Sequence, residues 1–206
     1  MLKTEFIPAA KDTDGRLMIV AQGLGDSVAG FRWLPEAMQL PWLNYLLVNA
    51  PDSYYGGFSW YDLDGDSGPG IERSRKMLFR MLDELAEKKF VPEKIIFSGF
   101  SQGCLMSIEI GARYPHRLAG IVGISGYVHQ PERLVQELAP TAAQQRFLLT
   151  HGTQDTLIPI GKVRPQVETL KRAGLQIDWR EFEKGHTIAG EVELAVVRDF
   201  VRKSYA

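Results

Sequence analysis

Short runs of consecutive apolar residues recur along the chain: Leu17 to Gln22 (LMIVAQ), Tyr45 to Asn49 (YLLVN), Lys94 to Ser98 (KIIFS), Gly120 to Ser125 (GIVGIS) and Phe147 to Thr150 (FLLT). Apolar on successive positions and rich in Ile, Val and Leu, they predict strands buried on both faces. Segments of helical period lie between them. In Ile71 to Lys89, the residues Met77, Leu78, Met81, Leu82 and Leu85 form one stripe among Arg, Asp, Glu and Lys. Val163, Val167 and Leu170 mark a second helix, and Val192, Val196, Val197 and Phe200 a third. Leu175 to Trp179 alternates apolar and polar, as a half-covered strand near a sheet edge does. The alternation predicts an α/β fold with a mostly parallel sheet and helices on both faces, whose chemistry gathers beyond the carboxyl ends of the strands. No repeat, low-complexity tract or linker interrupts the pattern, so residues 1–206 are read as a single domain. Pro51 to Gly70 carries no period and is too long for an idle connection.

Composition narrows the function. With 24 Lys plus Arg against 25 Asp plus Glu and no run of five like charges, the chain offers no electrostatic footprint for nucleic acid or anionic membrane. Cys104 is the one cysteine, which excludes an intrachain disulfide framework and the four-cysteine zinc patterns and suits a reducing compartment. MLKTEFIPAAKDTDG lacks an apolar leader core, and no segment approaches the ~18 apolar residues of a membrane span. The expectation is a cytoplasmic protein.

The candidate chemistry centres on IIFSGFSQGCLMS. Gly99, Ser101 and Gly103 spell G-x-S-x-G, the nucleophile elbow, in which glycines two residues away leave room for a tight strand-to-helix turn. Chance supplies this pentapeptide in about one of ten chains of such composition. Here, however, the required strand precedes it and a helix-compatible run, Leu105 to Arg113, follows. An elbow serine needs a base and an orienting carboxylate, in the chain order Ser, acid, His. Asp155 in HGTQDTLIP lies a few residues past a strand, and His186 in EKGHTIAGE follows the final strand, so they are read as the acid and the base. His151 is read as a structural residue at a strand end, and His116 and His129 as solvated. For a developing oxyanion, the loop AQGLGDS offers the Leu24 N–H and the elbow helix offers the Gln102 N–H. A dinucleotide reading of that loop fails, because the third glycine of G-x-G-x-x-G falls on Val28.

In this order the motifs resemble the α/β-hydrolase carboxylesterases that include acyl-protein thioesterases and lysophospholipases. QGLGDS is similar to the family's H-G-L-G-D loop, NAP…SWYD to its A-P segment with a following Trp-aromatic-Asp, GFSQGC to its G-F-S-Q-G-G elbow, HGTQDTLIP to its H-G-x-x-D-x-x-V-P segment, and Gly185-His186 to its base. The resemblance implies an α/β-hydrolase fold without a large cap domain and a serine hydrolase of carboxylic esters or thioesters that uses neither metal nor cofactor. It implies Ser101, Asp155 and His186 as the triad, with Leu24 and Gln102 as oxyanion donors. Its substrate would be a small ester or thioester, an acyl-lipid or an acylated protein. The chain departs from the family at Gln22, where histidine is usual, and at Cys104, where glycine is usual; Cys104 is read as small and inert. The aromatic loop Tyr54, Tyr55, Phe58, Trp60 and Tyr61 folds onto its own core in one reading. In the other, favoured by the resemblance, Trp60 walls an acyl pocket opposite Leu157 and Ile158. Two further classes stay open: a dienelactone-hydrolase-like enzyme, which usually carries cysteine at the nucleophile position, and a non-catalytic binding module.

Overall fold

In the computed structural model, which describes residues 2–11 and 15–205, the apolar runs become the strands of one sheet. In chain order the strands are β1 (Thr4–Ile7), β2 (Leu17–Ala21), β3 (Asn44–Val48), β4 (Asp52–Tyr54), β5 (Gly57–Ser59), β6 (Ile95–Phe100), β7 (Gly120–Ile124), β8 (Arg146–Gly152) and β9 (Gln176–Phe182). The α-helices are α1 (Leu34–Met38), α2 (Gly68–Glu87), α3 (Gln102–Arg113), α4 (Pro131–Gln136), α5 (Ile160–Arg172) and α6 (Gly190–Ser204). Seven strands pair in the order β1-β3-β2-β6-β7-β8-β9, parallel throughout except for antiparallel β1. Among the described residues, no helix is long and apolar enough to cross a membrane.

Each central strand serves two cores because successive side chains point to opposite faces. Along β2, Leu17, Ile19 and Ala21 enter the core shared with α2, α3 and α5, while Met18 and Val20 enter the one shared with α1 and α6. Helix α3 is buried from Gln102 to Ala112, so it has no polar stripe and its sequence shows no clear helical period. It carries Glu109 into the interior, where Arg75 (2.9 Å) and Arg113 (2.6 Å) pair with it, as a buried carboxylate requires.

Some elements differ from the reading of the sequence. Strand β1 is short and only half covered, so no apolar run announces it. Within Pro51 to Gly70, β4 and β5 form a hairpin whose corner, Tyr55 and Gly56, has φ of 42° and 88°, the two positive values of a tight primed turn. On α6 the buried face is Leu194, Val197, Phe200 and Val201, whereas Val192 is 69% exposed and packs outside the core.

At the elbow these elements approach to backbone contact. A Cβ on Gly103 would stand 2.1 Å from the Ala21 carbonyl oxygen, and one on Gly99 would stand 2.1 Å from the Gly103 carbonyl oxygen. Both obstacles are backbone atoms that cannot swing aside. Gly103→Ala is therefore expected to cost about 1–3 kcal/mol or more of stability, read from urea denaturation, with a shift of Ser101 detectable as lost activity.

Candidate active site

Strand β6 ends at Phe100 and helix α3 starts at Gln102, leaving Ser101 alone at the turn with φ 55° and ψ −114°. A non-glycine residue there costs of order 1–3 kcal/mol. The neighbouring strand holds it, since the Ser101 N–H donates to the Ile124 carbonyl at 2.9 Å. The strained turn lifts Oγ clear of the sheet's carboxyl end, where the loops after β8 and β9 bring the other two groups. The Ser101 hydroxyl lies 2.9 Å from His186 Nε2, and His186 Nδ1 lies 2.7 Å from Asp155 Oδ2. With Nδ1–H donating to the carboxylate, Nε2 is left free to accept the serine proton.

Asp155 is fixed on its other side. Its Oδ1 accepts the N–H groups of Leu157 (3.0 Å) and Ile158 (2.8 Å). Burial of the carboxyl works against ionisation, but the Ile158 N–H and the His186 ring hold its pKa below the ordinary aspartate value. His151 supports the same loop: its Nε2 bonds the Ile158 carbonyl at 2.8 Å and its ring stacks on Trp179. Burial lowers the His151 pKa, so it stands there as a neutral prop. His116 is exposed, while His129 is partly buried and its Nε2 is shut away from solvent without a partner. Among the described residues, no group of three or more His, Cys, Asp or Glu could hold a metal ion.

Leu24 and Gln102 both line the cleft that holds Ser101, and their N–H groups meet no acceptor among the described residues. Their support is side-chain chemistry that the sequence pattern does not reveal. The Gln102 amide accepts the Trp60 N–H at 2.9 Å and donates to the Tyr61 carbonyl at 2.9 Å. The Trp60 indole N–H reaches the Gln22 carbonyl at 2.9 Å, and the Gln22 side chain accepts the Ala50 N–H at 3.1 Å. Gly25 and Asp26 pair with Phe58 of the hairpin, through Gly25 N–H to Phe58 C=O and Phe58 N–H to Asp26 C=O, both at 2.9 Å. The loop after β2 is thus tied to the start of α3 through residues 58–61. The Trp60 tie uses the Gln22 backbone carbonyl, while the glutamine side chain adds the bond to Ala50.

Trp60 is therefore fully buried as a tie between loops and does not line the cleft, which corrects the expectation of an acyl-pocket wall. An aromatic residue bearing an N–H is stable in a core when that N–H finds an acceptor, and Gln22 provides one. The cleft, of about 580 Å³, is lined instead by Tyr61, Leu63 and Tyr127, together with Leu157 and Ile158. Cys104 lies beneath the elbow, fully buried, its thiol pKa pushed up to about 12 by desolvation. At that value it is neither nucleophile nor ready redox centre.

The loop carrying His186 has its own anchor. Glu193 on α6 is fully buried and accepts Lys184 Nζ at 2.6 and 2.7 Å together with the Ala189 N–H at 2.6 Å. One carboxylate thus closes both ends of the Lys184 to Ala189 segment. Burial lowers the Lys184 pKa, with Glu193 opposing the shift. Neither residue stands in a recognisable motif.

The phospholipase/carboxylesterase family model matches residues 2–205. Acyl-protein thioesterase 1 of Gibberella zeae is 29% identical over 95% of this chain and 93% of that protein. Acyl-protein thioesterase 1 of Schizosaccharomyces pombe is 30% identical over 69% of each chain. Among solved structures, esterase PE8 superposes with a TM-score of 0.83 at 27% identity, covering 98% of both chains.

Removing Glu193 strands a buried ammonium, so Glu193→Ala should cost about 3–5 kcal/mol. Replacing the pair together, Lys184→Met with Glu193→Leu, should recover most of that loss in urea denaturation.

Proposed function

The chain belongs to the phospholipase/carboxylesterase family and is a serine ester hydrolase, and we propose that it cleaves carboxylic esters or thioesters through an acyl-enzyme formed on Ser101. The observation that carries this reading is the unbroken hydrogen-bond chain from Asp155 through His186 to the Ser101 hydroxyl. Ser101 Oγ attacks the carbonyl carbon while His186 Nε2 takes the hydroxyl proton. The resulting oxyanion is held by the Leu24 and Gln102 N–H groups, a role commonly worth about 10²–10³ in rate per donor. His186 then returns the proton to the departing oxygen or sulfur. A water molecule, deprotonated by His186, attacks the acyl-enzyme, and the carboxylic acid leaves as Ser101 regains its proton. Asp155 stays ionised and stabilises the imidazolium.

The apolar cleft of about 580 Å³ suits an aliphatic acyl chain, with Leu157 and Ile158 among its walls. Relatives named acyl-protein thioesterases support thioesters of acylated proteins or lipids as substrates, beside simple esters. The route uses no cofactor, and the lone buried thiol of Cys104 fits a cytoplasmic setting.

Ser101→Ala and His186→Ala should each abolish turnover of an aryl ester while far-UV circular dichroism stays native, and a fluorophosphonate probe should label Ser101 in the native protein only. Near-normal activity in either variant overturns the assignment. Asp155→Asn permits the wrong imidazole tautomer and should lower kcat by about 10⁴. The rate should also fall on acidification, because a protonated His186 cannot accept the serine proton; a rate insensitive to acidification would exclude histidine as the base.

A further inference from the structure

His186 borders two clefts. One is the larger cleft described above; the second, of about 310 Å³, has Phe31, Trp33 and Ile188 as apolar walls. It shares Asp26, Phe100 and His186 with the larger cleft, but Ser101, Leu24 and Gln102 line only the larger one. Phe100 separates the two, its ring packed on the imidazole with centroids 5.1 Å apart. Trp33 is 42% exposed, yet its indole N–H is pinned to the Gly30 carbonyl at 2.8 Å. The second cleft thus has a partly exposed aromatic wall whose polar atom is already paired.

We propose that this second cleft receives the leaving group, and that the enzyme favours esters and thioesters whose alcohol or thiol is uncharged and carries an apolar body of about benzyl size. The inference rests on the hydrolase reading above and assigns the two sides of its site. In the tetrahedral intermediate on Ser101, the oxyanion points to the Leu24 and Gln102 N–H groups. The departing heteroatom must lie within hydrogen-bond reach of His186 Nε2, which protonates it as its bond to the carbonyl carbon breaks. The substituent on that atom therefore starts against His186 and continues toward Ile188 and Trp33, while the acyl chain keeps the larger cleft. Charge narrows the class further. Histidine aside, the one charged side chain lining either cleft among the described residues is Asp26, and no Lys or Arg joins it. A phosphate-bearing leaving group would meet a carboxylate with no cation to offset it.

Two matched ester series test this. One keeps a butyryl acyl group and varies the alcohol through methyl, butyl, benzyl and 4-phosphonobenzyl; the other keeps methanol and lengthens the acyl chain. The wild-type kcat/KM should be higher for the benzyl than for the methyl ester, and lowest for the phosphonobenzyl ester. Trp33→Ala should cut the benzyl-to-methyl ratio by about tenfold and leave the acyl-length profile in its wild-type order, with Ile188→Ala moving the same ratio in the same direction. Leu63→Ala, in the larger cleft, should alter the acyl-length profile instead. Turnover with a benzyl-to-methyl ratio unmoved by both variants, an acyl-length profile shifted by Trp33→Ala, or a preferred phosphonobenzyl ester overturns the assignment while the hydrolase reading stands. No turnover of either series together with no fluorophosphonate labelling of Ser101 overturns both.

Discussion

Where β6 passes into α3 there is room for a hydrogen atom on the backbone and for nothing larger. Gly103 sits against the Ala21 carbonyl, and Gly99 sits against the carbonyl of Gly103 itself. That contact brings the end of β2 against the first turn of α3, and so brings the Leu24 loop beside Gln102. It also forces Ser101 into the left-handed half of φ space, a strain tolerated because the sheet supplies the Ile124 acceptor and the helix begins at once. The positions of Ser101 and of the loop beside Gln102 follow from this crossing.

Around the crossing the interior is polar and mostly paired, although the Gln22 amide nitrogen and the Ser125 and Thr150 hydroxyls meet no partner among the described residues. Gln102 lines the cleft and commits its side chain to residues 59–61, so one residue both borders the site and holds the neighbouring loop. A buried amide left unpaired would cost roughly 1–3 kcal/mol, and its pairing here makes the loop geometry nearly single-valued. Glu193 acts in the same way on the other side, fastening both ends of the segment that carries His186. Rigidity of this kind matters for chemistry that depends on hydrogen-bond distances held within a few tenths of an ångström. Leu63, Leu157 at 74% exposure, and Trp33 are the exposed large apolar side chains that line the two clefts.

The parallel strands were legible because burial on both faces leaves a local mark, consecutive apolar positions. The edge strand β9 was legible from its alternation, with Trp179 turned toward the covered side. β1 and the β4–β5 hairpin were not, since each is stabilised by a neighbour: the antiparallel register of Thr4 with Val48, and the pairing of Phe58 with the Leu24 loop. Val192 misled because a valine at helical spacing says nothing of which way the helix is rolled; here Leu194, Val197, Phe200 and Val201 face the core and Glu193 is buried beside them. Trp60 misled because a tryptophan near a cleft can face the ligand or fasten the walls, and the Gln22 carbonyl is what drew it inward.

The amino-acid order alone determined the strand runs, the glycine spacing of the elbow and the succession Ser101, Asp155, His186, because each answers to a backbone requirement within a few residues. That the three side chains lie 2.7–2.9 Å apart is a property of the sheet order, which carries residues 85 and 31 positions distant to one edge. The tie through Trp60 and Gln102, the Lys184–Glu193 anchor and the division of the site by Phe100 and His186 into two clefts were decided only by the tertiary structure. A buried polar group must find a partner, and which distant backbone atom stands within reach is known only once the chain has been wound.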